Sequence, residues 1–174
     1  SNHRIQKFTK DGRFVSKWLS EPEAGSHNPI KVAVNGSGDV YVLENNGYAY
    51  DHMISQYSSD GTFVKGWVSC CKSGEIIRKP TDMTVDSNGD IYVIDTERKG
   101  RYAVSISNPI NFRVTVYDSE GVQKRQWLTR LSDIGGEEGD NFWDYRLSNG
   151  IAVDSEGNVY IADEYFIPSG NYFD

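Results

Sequence analysis

The chain predicts an all-β fold of four-stranded antiparallel sheets. Three observations carry this: a two-part motif occurs three times, each part reads as a β-hairpin, and the two parts alternate. One part reads VAVNGSGDVYVLE from Val32, MTVDSNGDIYVID from Met83 and IAVDSEGNVYIAD from Ile151. The other reads RIQKFTKDGRFVSKW from Arg4, MISQYSSDGTFVKGW from Met53 and RVTVYDSEGVQKRQW from Arg113. Gly12 to Trp18, Gly61 to Trp67 and Gly121 to Trp127 span one constant interval, whereas Val85 to Val153 is a longer step than Val34 to Val85. Rigid units joined by variable connectors are the pattern of a repeat architecture whose insertions are confined to loops.

Taken in order, the units are an outer hairpin (4–18), a full sheet (30–67), a second full sheet (81–127) and an inner hairpin (149–163), within a single domain spanning 1–174. In each hairpin, runs of Val, Ile, Tyr and Phe flank a short segment of Ser, Asp or Asn closed by a glycine. Those polar side chains bond their own backbone in the turn, and the glycine supplies positive φ. DVYVLE, DIYVID and NVYIAD are apolar on both faces and are expected to be interior strands. RIQKF and MISQY are interrupted on one face by Arg4, Lys7 and Gln56, which predicts strands nearer an edge. Trp18, Trp67 and Trp127 recur at one position and are expected to pack between adjacent sheets.

Six hairpins make twelve strands, or three four-stranded sheets, and radial stacking of such sheets is the β-propeller. Here the chain resembles the NHL-repeat β-propeller family, whose pattern I-A-V-D-x-x-G-N-V-Y-I-A-D followed by N-H-R-I-Q-K-F is matched by Ile151 to Asp163 and by Asn2 to Phe8. The resemblance covers nearly the whole chain in three units and implies a six-bladed ring. Three blade equivalents cannot close one. The chain opens on an outer hairpin and ends on an inner one, so the expected partner is a second copy: a homodimer closing the ring with two-fold symmetry along the channel axis. A fragment of a longer six-bladed protein is the alternative.

Function is expected where the repeats stop agreeing. The connectors, roughly 19–30, 44–52, 68–81, 96–112 and 128–149, are long and individual, which marks the connector face and channel mouth as the working face. The longest carries Trp143, Asp144, Tyr145 and Arg146, aromatic platforms beside a carboxylate and a guanidinium. Tyr48 and Tyr50 make an aromatic connector with His52, although His52 shares a repeat position with His3. His27 and Asn28 have no repeat counterpart, and Arg101 belongs to a charged tip with Glu97, Arg98 and Lys99. Residues ahead of each inner strand are expected to face the channel: Asn28 with Lys31, Lys79 with Asp82, and Ser148 with Asn149. Asp86, Asn88 and Asp90 imitate the start of a calcium loop, but the glycine is misplaced and no glutamate follows at position 12, so they read as a turn. Glu44, Asp95 and Asp163 recur after the inner hairpins and are expected to bond neighbouring backbone.

Net charge of −7 and a pI near 5 argue against nucleic acid, whose recognition rests on clustered Lys and Arg. No apolar run reaches eighteen residues, so no membrane span is expected and the chain reads as soluble. The opening Ser-Asn leaves export open, and the compartment is unknown. Cys70 and Cys71 are adjacent and read as two free thiols. No Ser-His-Asp order, HExxH, phosphate loop or dinucleotide fingerprint occurs.

The favoured reading is a binding or scaffold propeller, not an enzyme, that presents its loop-rich face and channel mouth to a protein, peptide or small polar ligand. No catalytic residue, metal ligand or cofactor is predicted. The alternative is a metal-dependent hydrolase or lyase, resembling six-bladed lactonases or amidating lyases. A calcium or zinc ion would then sit on the channel axis near Asp82, Asn149 and His27.

Overall fold

A computed structural model describes residues 3–19, 28–45, 52–68, 80–97, 111–129 and 145–166, with backbone alone at 68, 96–97, 111–112, 145–149 and 163–166. The described chain is all-β: β1 (Arg4–Phe8), β2 (Phe14–Leu19), β3 (Asn28–Val34), β4 (Val40–Asn45), β5 (His52–Tyr57), β6 (Phe63–Val68), β7 (Pro80–Val85), β8 (Ile91–Glu97), β9 (Asn111–Tyr117), β10 (Gln123–Thr129), β11 (Tyr145–Val153) and β12 (Val159–Phe166). They form four antiparallel sheets: the hairpin β1-β2, the four-stranded β3-β4-β5-β6 and β7-β8-β9-β10, and the hairpin β11-β12. No described helix is long and apolar enough to cross a membrane.

Every hairpin turn is built alike. The amide of Gly12, Gly38, Gly61, Gly89, Gly121 or Gly157 donates to the carbonyl three residues back, at φ between 80° and 92°, a region that disfavours any Cβ. In the turn led by Asp86, Oδ1 accepts from the amides of Asn88 and Asp90 (both 2.9 Å). Asn35, Asp118 and Asp154 do the same in theirs. The calcium-loop lookalike is thus a turn.

The sheets stack in chain order, and alternation along the interior strands divides the core. Val40 and Val42 of β4 pack toward the first hairpin with Ile5, Tyr57 and Trp18. Tyr41 and Leu43 of the same strand face the next sheet, meeting Met83, Ile91 and Val93. Tyr92 and Ile94 of β8 then turn to β11 and β12, against Ile151, Val153, Val159 and Ile161. The period of two along each strand lets one sheet serve two neighbours.

Trp18 and Trp67 pack between sheets, and Trp127 is partly buried against the cluster of Tyr92, Ile94 and Val114. Trp18 covers Gly61 of the following sheet and Trp67 covers Gly121, each so closely that an added Cβ would lie 2.7 Å from the ring. Trp18 also meets Tyr57 at 6.1 Å between ring centroids.

Three expectations need correction. β5, which contains MISQY, is interior, hydrogen-bonded to both β4 and β6, and nearly all buried; the edge strand is β6, and Gln56 Oε1 is buried without a hydrogen-bond partner among the described residues. β12, expected between two neighbours, has one among the described residues of the single chain, unlike its counterparts β4 and β8. Glu44 and Asp95 do more than bond neighbouring backbone. Fully buried Glu44 accepts from the Ser55 hydroxyl at 3.0 Å, and buried Asp95 takes both Nε (3.0 Å) and Nη2 (2.6 Å) of Arg113 on the adjacent strand. Two-point binding across β8 and β9 satisfies both charges at once, which is what makes an ion pair tolerable in a core.

Candidate rim of the inner strands

In each four-stranded sheet the two hairpin turns fall at one end, and the strand ends leading into connectors fall at the other, because the strands run strictly up and down. The candidate site lies toward the connector end of β3, β7 and β11, the first strands of three successive sheets, where β7 neighbours both β3 and β11. All three strands carry a register shift at the same repeat position: between Pro29 and Lys31, between Pro80 and Asp82, and between Ser148 and Gly150. A bulge sets two residues against one and re-aims the side chain that follows.

The residues that follow these bulges are repeat equivalents, and they meet across the sheets. Lys31 Nζ lies 3.5 Å from Asp82 Oδ1, and Asp82 Oδ2 accepts the amide of Ile151 at 2.9 Å. Gly150, equivalent to Asp82, sits beside that carboxylate: a Cβ there would be 3.6 Å from Oδ2. One aspartate thus joins three successive sheets. Asp82 is mostly buried while the Lys31 side chain is partly exposed, leaving ammonium donors open to an incoming polar group. Thr81, the residue in the bulge, turns its hydroxyl to the carbonyl of Ile94 (3.4 Å).

Of the residues singled out by sequence, Lys31 and Asp82 are brought together. Asn28 is exposed at the connector end of β3, opposite Asn45, which in turn pairs with buried His52. These positions lie within strands rather than ahead of them, since β3, β7 and β11 begin earlier than the apolar runs. Tyr145, Arg146, Ser148 and Asn149 likewise belong to β11, paired with β12, and not to a loop. His27, Tyr48, Tyr50, Lys79, Arg101, Trp143, Asp144, Cys70 and Cys71 lie outside the described residues. Sequence reasoning missed the Asp95–Arg113 pair, although an acid and an arginine at matching ends of two apolar runs was the available signal.

For a channel-axis metal, Asp82 is the sole suggested ligand whose side chain is described, and both of its oxygens already serve Lys31 and Ile151. Those contacts tie the carboxylate to the sheets on either side of its own. At the outer side, Arg125 lies over the rings of Tyr92 (5.6 Å) and Trp127 (6.0 Å) and donates to the Tyr92 hydroxyl at 2.7 Å. Burial is the main cause that raises the Tyr92 phenol above its ordinary pKa.

No family model matches the chain, and no curated protein matches it.

Proposed function

We propose that the chain is an NHL-like half-propeller that acts as a binding or scaffold module, completed to six blades by a second copy. On this reading β3, β7 and β11 line the channel, and the connector end offers its mouth to a peptide, protein or small polar ligand. The observation that supports it best is the chain of repeat-equivalent positions Lys31, Asp82 and Gly150 meeting along the innermost strands. Equivalent residues in contact mean that successive sheets are related by a regular step, as blades around an axis are. Asp82 holds the step and Lys31 presents charge to whatever enters.

The test is an amide-resolved NMR titration of the full chain with a panel of acidic peptides and sugar acids. Shifts clustered at Asn28, Lys31, Asn45, His52 and Asp82, and lost in Lys31→Ala, support the reading. Shifts confined to the turn glycines at the opposite end overturn it.

A further inference from the structure

Resting on the six-bladed reading, we propose that the two outermost sheets are the halves of one joint, filled by a second copy in a register the molecule already displays twice. Both end sheets bear apolar faces that their repeat equivalents bury. The tyrosine of the interior strand is 1% exposed at Tyr41 and at Tyr92 but 59% exposed at Tyr160. The aromatic that ends the following strand is 1% exposed at Tyr57 and 8% at Tyr117, yet 52% at Phe8. Val32 of β3 is half exposed where its equivalents Met83 and Ile151 are buried against the preceding sheet.

The template is the pairing of β4 with β5 and of β8 with β9, which share one register: Val40 opposite Tyr57 and Leu43 opposite Ile54, Ile91 opposite Tyr117 and Ile94 opposite Val114. Carried to β12 of one copy and β1 of another, it sets Val159 opposite Phe8, Tyr160 opposite Lys7 and Ala162 opposite Ile5. Asp163 then falls opposite Arg4, the register position of the Asp95–Arg113 ion pair. Polar contacts between neighbouring sheets also translate. Lys65 Nζ meets Glu120 Oε1 at 2.7 Å, and the same step brings exposed Arg125 to exposed Asp11 of the second copy. Trp127 would cover Gly12 of that copy as Trp67 covers Gly121; in the single chain a Cβ on Gly12 would meet nothing within 4 Å. Charges of opposite sign, a ring opposite an open glycine, and two interior-type strands each open along one edge all select this chain as its own partner.

The experiment is light scattering and sedimentation equilibrium on the full chain and on Arg4→Asp, Asp163→Arg and the double variant. The expected result is twice the chain mass of 19.6 kDa. Each single reversal should weaken association by at least about 30-fold, and the double variant should restore it to within about threefold. Independently, Lys7→Cys with Tyr160→Cys, in a Cys70→Ser/Cys71→Ser background, should cross-link two chains on oxidation, while Arg13→Cys with Tyr160→Cys should not. A monomer at all concentrations overturns ring closure and the joint together. A dimer indifferent to both reversals and to the cysteine register overturns the joint while the six-bladed reading stands.

Discussion

Replacing Gly121 by alanine separates backbone strain from the Trp67 contact, because Gly89 of the same sheet provides the matched control. Gly121 sits at φ 80° and Gly89 at φ 86°, so an added Cβ carries a similar left-handed penalty at both, about 1–2 kcal/mol. A Cβ on Gly89 would meet nothing within 4 Å, whereas at Gly121 the new carbon would stand 2.7 Å from Trp67 Cγ. Ordinary carbon contacts lie near 3.5–4.0 Å, so ring and turn must separate by most of an ångström, an overpacking cost of about 1–3 kcal/mol. Gly89→Ala is therefore expected to lose about 1–2 kcal/mol and Gly121→Ala about 2–5 kcal/mol. Gly61→Ala, which meets Trp18 at the same 2.7 Å, should match Gly121→Ala. Urea unfolding followed by far-ultraviolet dichroism at one protein concentration measures all three. If Gly121→Ala and Gly89→Ala agree within about 0.5 kcal/mol, the tryptophan does not set the spacing between sheets.

Asp95→Asn should cost about 3–5 kcal/mol by stranding the Arg113 guanidinium in the core, and Asp95→Leu with Arg113→Met should recover most of that loss in the same urea assay. Asp82→Ala removes the acceptor of the Ile151 amide and the partner of Lys31; about 1–3 kcal/mol is expected, with hydrogen exchange at Ile151 accelerated before that at Val114. The Asp154 carboxyl is held down from 3.8 to about 2, chiefly by the Asn158 side-chain amide, and Asp60 likewise by the Ser58 hydroxyl. A depressed carboxyl stabilises the fold above its unfolded pKa and stops doing so as pH falls through the folded value. Protection of the Glu156 amide should thus hold at pH 5 and be lost between about pH 4 and 2, tracked by carboxyl-carbon NMR titration.

Much of the fold was legible because it is local. Turn chemistry such as Asp86-Ser-Asn-Gly89 and the two-faced apolar run from Ile91 to Ile94 are written in adjacent residues, and they place the hairpins and the interior strands β4 and β8 correctly. What depends on contacts distant in sequence was not legible. The bulges before Lys31, Asp82 and Gly150 show only once the strands are paired, with the repeat-equivalent Pro29 and Pro80 as the one sequence trace of two of them. Asp82 acquires its role from an amide 69 residues away. Apolar periodicity also understated β11, whose first residues Tyr145 to Asn149 earn their strand from the pairing of β12 rather than from their own pattern. Only Lys31 and Asp82 of the suggested site residues are seen to touch, because most others belong to segments outside those described.

The tryptophan that leans on the next turn gives the array a direction. At the two steps where it is seen, Trp18 onto Gly61 and Trp67 onto Gly121, one sheet offers a ring and the next a bare backbone, so top and tail are not alike. Assemblies grown by this rule go head to tail and keep one sense of rotation; a mirror-type pairing of two identical ends would set ring against ring. Duplicating a unit lengthens such a series without inventing a new contact, and a connector may grow freely as long as the step from indole to glycine is kept.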